Sequence, residues 1–236
     1  MKGLNVDNLI IEVGRKCNLK CAHCLRGDAE DVTVDVSTVK KFLKEFEYIS
    51  TITFSGGEPT LYEDEICEII DFILQEKIEI GNFYVASNGM RKAPKLMIKL
   101  AELYAYISVN SLENYSQFEL SYDEFHDEIP KQNEEFYRAF SFFSKRDYQG
   151  WNDYWIPEGR ALENGLSGSG RFLSTTFCYD KDCEEVEEIY FNAEGYLIPD
   201  CDYSYSSQRA MNPYKYGEMP LREILSNFGY AKEEVA

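Results

Sequence analysis

Short continuous apolar runs and helically spaced apolar stripes take turns along the first two-thirds of the chain. Leu9-Ile10-Ile11-Glu12-Val13, Thr51-Ile52-Thr53-Phe54-Ser55, Asn82-Phe83-Tyr84-Val85-Ala86 and Gln117-Phe118-Glu119-Leu120-Ser121-Tyr122 read as strands. Between them lie amphipathic stripes. Val39, Phe42, Leu43 and Phe46 share one face of a helix that Asp35 or Ser37 caps, and Ile66, Ile69, Ile70 and Ile73 stripe the next. Leu96, Leu100 and Leu103 follow behind Pro94, which suits a first helical turn, and Phe136, Phe140 and Phe143 mark a fourth helix. Strands alternating with helices predict parallel βαβ units, whose right-handed crossovers put the helices on the outer side of a curling sheet. The fold class expected is α/β: a partial (β/α)6, TIM-like barrel with a small C-terminal β-hairpin appendage.

The pattern weakens after Tyr148. Gly150 to Gly170 holds five glycines and one proline and reads as loop-rich. Asp153-Tyr154-Trp155-Ile156 and Arg171-Phe172-Leu173-Ser174-Thr175 are short strand candidates. Glu188 to Asn192 and Tyr196 to Ile198 flank a glycine turn and predict a hairpin. Pro220 opens a short terminal helix. Residues 1–175 are expected to form the barrel, 176–210 a cysteine-bearing hairpin, and 211–236 a helix and tail.

Composition narrows the function classes. At 236 residues and 44% hydrophobic, the chain has the makings of an ordinary globular protein. No apolar run approaches the roughly 20 residues of a bilayer span, and Met1 to Asp7 lacks a signal core, so no membrane association is expected and the cytoplasm is the expected location. A net charge of −18 disfavours a nucleic-acid partner, because phosphate binding needs a positive surface.

Seven cysteines, an odd number without a signal peptide, point away from a disulfide framework. Cys17, Cys21 and Cys24 form C-x3-C-x2-C. Three thiolates on one loop suit zinc, an iron–sulfur cluster, or no metal, and the spacing alone leaves these open. On a four-iron cluster, three thiolates leave one iron open for chemistry.

Other motifs narrow the choice. Cys17-Asn18-Leu19-Lys20-Cys21-Ala22-His23-Cys24 is followed by Gly56-Gly57-Glu58-Pro59 after the second strand and by Ser87-Asn88-Gly89 after the third. Ser121-Tyr122-Asp123 ends the fourth. In this order, each at a strand's C-terminal end, they resemble the signatures of the radical S-adenosylmethionine (SAM) superfamily. The resemblance covers about residues 9–130 well and the rest loosely. It implies a four-iron four-sulfur (4Fe-4S) cluster on Cys17, Cys21 and Cys24 that chelates SAM and cleaves it reductively to a 5′-deoxyadenosyl radical, which abstracts hydrogen from substrate. It implies cofactor contacts from His23, Gly56, Gly57, Glu58, Pro59, Ser87, Asn88, Ser121 and Asp123. Glu58 would meet the ammonium of SAM directly or through the local backbone, and the glycines would let backbone approach the ligand. An electron donor such as flavodoxin or ferredoxin is implied as a partner.

Blander readings stand beside these. Cys67 shares a face with Ile70 and Leu74 and reads as a core thiol. His126 suits proton transfer or substrate contact as well as a cap or surface place. Arg160 suits a SAM carboxylate, or a solvated loop. Cys178, Cys183 and Cys201 are candidate ligands for a second, auxiliary iron–sulfur cluster, or free cysteines on a vestigial hairpin. The hairpin resembles the reduced SPASM- or twitch-like region of peptide-modifying members, which makes a peptide or protein the expected substrate. A small metabolite or nucleoside, or a glycyl-radical activase role, are alternatives. A non-catalytic iron–sulfur or metal-binding protein is the alternative from another class, and it leaves Gly56 to Pro59 unexplained. The first strand begins near Leu9, so no leader-peptide domain is expected ahead of it, and peptide recognition would use a partner or another surface.

Overall fold

A computed structural model describes residues 3–110, 113–147, 155–166, 179–181, 183–211 and 213–228. The strand candidate at Arg171 to Thr175, Asp153 and Tyr154 of the other candidate, and Cys178 lie outside the described residues.

The barrel half runs β1 (Leu4–Glu12), α1 (Val36–Leu43), β2 (Phe46–Ser55), a 3-10 turn (Pro59–Tyr62), α2 (Glu63–Glu76), β3 (Glu79–Ser87), α3 (Pro94–Asn110), β4 (Gln117–Tyr122), α4 (Lys131–Tyr137) and β5 (Phe143–Asp147). Then come α5 (Gly159–Glu163), β6 (Tyr179–Asp180), β7 (Glu185–Phe191), β8 (Tyr196–Ile198), α6 (Tyr205–Ala210), β9 (Tyr214–Lys215) and α7 (Leu221–Asn227). They build one open sheet in the order β5-β4-β3-β2-β1-β7-β8-β9, with β6 beside β7. Strands β1 to β5 are parallel neighbours, and β7 lies parallel on the free side of β1. The predicted hairpin is β7–β8, with Phe191 opposite Leu197, so it is stitched into the barrel sheet through β1.

The core forms where the outer sheet face meets the helices. Leu9, Ile11, Ile52, Phe54, Phe83, Val85, Phe118 and Leu120 pack under Phe42 and Leu43 of α1, Ile66, Ile70 and Ile73 of α2, and Leu96, Leu100 and Leu103 of α3. Burying these side chains is the main stabilising term of the half-barrel. Cys67 is buried on α2, as its spacing predicts. Asp35 caps α1 by accepting from Ser37 N at 3.0 Å.

Two aromatics fall in strands rather than the predicted helices. α1 ends at Leu43, and Phe46 opens β2 opposite Leu4. α4 ends at Tyr137, and Phe143 opens β5 opposite Phe118. Each packs into the same apolar layer, so position along the chain mimics a helical stripe while long-range pairing imposes the strand. β1 starts at Leu4, before the predicted Leu9, because Leu4 and Val6 are buried by pairing with β2. The loop-rich stretch contains the short helix α5. Among the described residues, no helix is long and apolar enough to cross a membrane.

Candidate active site

Parallel strands place their C-terminal ends on one rim, and four motif loops meet there. The cysteine loop leaves β1 at Glu12, opposite Ser55 of β2, where the Gly56-Gly57 loop begins. The Ser87-Asn88-Gly89 loop leaves β3 and the Ser121-to-Asp123 turn ends β4. All border one cavity of about 740 Å³, lined by Cys17, Cys21, His23 and Cys24 on one side and by Glu58, Ser87, Asn88, Ser121, Asp123 and His126 on others. That volume lies in the range of sites holding a nucleoside-sized ligand.

The glycine loop is pressed against the cysteine loop. Gly57 N donates to Gly14 O at 2.9 Å and Glu58 N to Lys16 O at 2.9 Å. A Cβ on Gly57 would stand 2.3 Å from Lys16 O, and one on Gly56 (φ +149°) 2.3 Å from Gly14 O. The glycines thus serve backbone-to-backbone docking of the two loops.

Glu58 is buried and its carboxylate is occupied. Oε1 accepts from Thr60 N (3.0 Å), Thr60 Oγ1 (2.6 Å) and Ser87 Oγ (2.8 Å), and Oε2 accepts from Asn88 N (2.9 Å). It caps the turn that Pro59 opens and ties the β2 loop to the β3 loop. Oε2, which accepts the single bond from Asn88 N, belongs to a side chain that also lines the cavity. Asn88 continues the chain of contacts: its Nδ2 donates to Asn18 Oδ1 at 2.8 Å and reaches Cys17 Sγ at 3.9 Å.

The three motif thiols are half-buried. All three border the same cavity. Burial pushes the Cys17 thiol up to about 11, partly offset by the Leu19 N–H that points at it.

Asp123 is buried between the two histidines of the chain. Its Oδ1 lies 2.8 Å from His126 Nδ1, off the line of an ideal hydrogen bond, and its Oδ2 lies 3.4 Å from His23 Nε2. Burial opposes the charge of His126, but the Asp123 carboxylate and the nearby Cys21 outweigh it and raise this imidazole to about 9. Desolvation dominates at His23, which falls to about 4. The His23 ring packs against Trp155 at 4.3 Å and Phe125 at 5.1 Å. Ser121 lines the cavity wall.

Arg160 is neither solvated nor free. Its Nε donates to Cys21 O at 3.0 Å and Nη1 meets Asp28 at 3.2 Å, so it braces the cysteine loop. Three cavity residues went unread in the sequence: Trp155, Arg26 and Arg146. Arg146 pairs with Glu119, which also accepts from Tyr84 OH at 2.5 Å. The alternation Ser144, Arg146 on β5 and Glu119, Ser121 on β4 is the signal that could have placed Arg146 on the inner face.

Of the late cysteines, Cys183 and Cys201 are described. Cys183 is exposed ahead of β7, while Cys201 is partly buried with its N–H on Glu188 Oε1 at 3.3 Å. Glu188, Asp200 and Cys201 form a compact acidic group.

Residues 11–152 match the radical SAM superfamily. Among curated proteins, the chain is 32% identical over 94 residues to a probable GTP 3′,8-cyclase of Methanocaldococcus jannaschii, covering 37% of this chain and 30% of that protein. It is 30% identical over 94 residues to the mycofactocin maturase MftC of Mycolicibacterium smegmatis, covering 38% and 23%. The chain thus aligns with less than a third of each relative's length. Among solved structures, Streptococcus suis SuiB bound to the precursor peptide SuiA matches with TM-score 0.51 at 15% identity, over 98% of this chain and 65% of that one. Native anSMEcpe with bound AdoMet and Cp18Cys peptide matches with TM-score 0.50 at 16% identity, over 93% and 80%. The matched family stretch contains the cysteine triad, the docked glycine loop and the Asn88 loop, all on one rim: the chain belongs to the radical SAM superfamily.

Proposed function

We propose that the chain is a radical SAM enzyme that holds a 4Fe-4S cluster on Cys17, Cys21 and Cys24 and acts on a peptide or protein substrate. The observation that carries the cofactor reading is the convergence of the three motif thiols, the Gly56–Glu58 loop and the Asn88 loop around one cavity. When held by Cys17, Cys21 and Cys24, the cluster would supply the electron for reductive cleavage of SAM and so the radical chemistry that removes hydrogen from substrate. The protein's own residues hold and shield this chemistry. Gly57 and Glu58 lock the glycine loop to the cysteine loop, Glu58 fixes the Asn88 loop, and Ser121 with the local backbone offers polar groups to the ribose and amino-acid parts. Trp155, His23 and Phe125 form an aromatic wall that excludes water.

The polypeptide reading is supported by the fold shared with SuiB and anSMEcpe, both solved with peptides, and by the maturase relative. A small nucleotide substrate is the second reading, favoured by the GTP cyclase relative. For the late cysteines we favour a structural hairpin over an auxiliary cluster, with Cys183 exposed and Cys201 partly buried beside Glu188. A flavodoxin- or ferredoxin-type protein is the proposed electron donor. Anaerobic reconstitution with iron, sulfide, dithionite and SAM should yield 5′-deoxyadenosine. None, with a fully loaded cluster, refutes the enzyme reading and leaves a binding protein.

A further inference from the structure

Three arginines border the cavity, and two of them have an acid partner: Arg160 meets Asp28, and Arg146 meets Glu119. Arg26, two residues past Cys24, is partly buried. Among the described residues, no carboxylate oxygen lies within 4.0 Å of its guanidinium nitrogens. Nη1 donates to Tyr203 O at 2.7 Å, and Cζ stands 4.8 Å from the centre of the Tyr190 ring. The backbone is fixed too, since Tyr205 N donates to Arg26 O at 3.2 Å. The Tyr190 hydroxyl leads to an acid that is already committed: Glu12 accepts from Tyr190 OH at 2.5 Å, Arg15 Nε at 2.5 Å and Ala193 N at 3.2 Å. The two acids that border the cavity are engaged as well. Glu58 has its four donors, and Asp123 has two histidines and Phe125 N.

We propose that Arg26 is a specificity-determining residue that binds a carboxylate of the substrate. The inference rests on the peptide reading above and names the group the peptide presents there, an acidic side chain or a chain-terminal carboxylate. A guanidinium withdrawn from water without a counter-ion is costly, and a ligand anion offsets that cost. Its planar fork matches the two oxygens of a carboxylate. Position separates this ligand from SAM. The loops with the SAM signatures follow β2, β3 and β4, whereas Tyr190 belongs to β7, on the far side of β1 in the sheet order. Arg26 thus holds its charge on the wall of the cavity away from those loops. A chain of net charge −18 repels anions at long range, so a local cation inside the cavity is what lets an acidic group settle there.

The test titrates the reconstituted, SAM-loaded protein calorimetrically with two matched pairs of probes. N-acetylglutamic acid α-amide against N-acetylglutamine amide isolates a side-chain carboxylate. N-acetylalanine against N-acetylalaninamide isolates a chain-terminal one. Wild type should bind the acid of one pair about tenfold more tightly than its amide, and which pair it is tells side chain from terminus. Arg26→Gln should abolish that preference and leave SAM affinity within about threefold of wild type. Four results overturn the proposal: no preference in either pair, a preference that survives in Arg26→Gln, a larger loss of SAM affinity in that variant, or inorganic phosphate binding more tightly than either acid. If Arg26→Gln fails to load iron, Arg26→Lys decides. A single ammonium lacks the fork, so the preference should fall by about threefold, and an unchanged preference overturns the proposal. Formation of 5′-deoxyadenosine by wild type is measured alongside. Its absence from loaded protein refutes the enzyme reading, whereas loss of the acid preference with 5′-deoxyadenosine still formed refutes only the role of Arg26.

Discussion

Replacing Glu58 separates a scaffold carboxylate from a ligand carboxylate. The side chain is 2% exposed and accepts from four donors at 2.6 to 3.0 Å. Two of these donors are the hydroxyls of Thr60 and Ser87, which can rotate toward other acceptors. The other two are the backbone N–H groups of Thr60 and Asn88, which cannot. A buried donor left unsatisfied costs roughly 1–3 kcal/mol. Glu58→Ala, which strands both, should therefore lower stability by about 3–5 kcal/mol. Glu58→Gln keeps the shape but turns an NH2 toward either Asn88 N or the Thr60 and Ser87 donors, so about 1.5–3 kcal/mol should be lost. The assay is urea unfolding of the reduced apo-protein at neutral pH, read from the midpoint at unchanged m-value. Calorimetric SAM binding to the reconstituted variant runs alongside. The reasoning is refuted if Glu58→Gln unfolds within about 0.5 kcal/mol of wild type while losing SAM affinity more than tenfold. That pattern would mean the carboxylate faces the cofactor.

Gly57→Ala should cost about 1–3 kcal/mol and depress iron uptake, because its methyl would meet Lys16 O at 2.3 Å; normal uptake would contradict the docking role. Arg15 is fully buried against Glu12 at 2.5 Å and also meets Glu30 and Glu194, so Arg15→Ala should lose about 3–5 kcal/mol in the same unfolding assay. A loss below about 1 kcal/mol would show that the pair is not structural. Substituting Ala at Cys17, Cys21 and Cys24 together should leave protein without iron by colorimetric assay; retained iron would restore an auxiliary cluster at the late cysteines. Cluster ligands must be thiolates, and the Cys17 thiol is raised to about 11, so assembly releases a proton there. Iron uptake at limiting iron should climb from pH 7 to pH 9, and a flat profile would show that this thiol does not gate loading.

Legibility differed from residue to residue. Strand β4 was readable to its ends, since Phe118 and Leu120 alternate with polar neighbours. Phe46 and Phe143 were not, because an aromatic three residues past a helical stripe looks the same whether the chain continues helically or enters a strand. Pairing with Leu4 and Phe118, 42 and 25 residues away by sequence number, makes that choice. Gly57 was read as letting backbone approach a ligand; only the tertiary structure shows that its missing side chain also makes room for the Lys16 carbonyl. Arg160 was read as a loop cation, yet it holds the Cys21 carbonyl from a helix that a glycine-rich stretch concealed.

The amino-acid sequence by itself determined the βαβ order, the cysteine triad and the identity of the loops that follow each strand, because periodicity, turn residues and ligand spacing are local properties. Tertiary structure alone decided which polar atoms remain for chemistry. Glu58 ties the β2 loop to the β3 loop, Asp123 is shared between two histidines, and Cys201 sits partly buried beside Glu188. The physical reason is that a hydrogen bond or ion pair depends on strand register and loop docking across the rim, and those join residues that sequence distance does not connect.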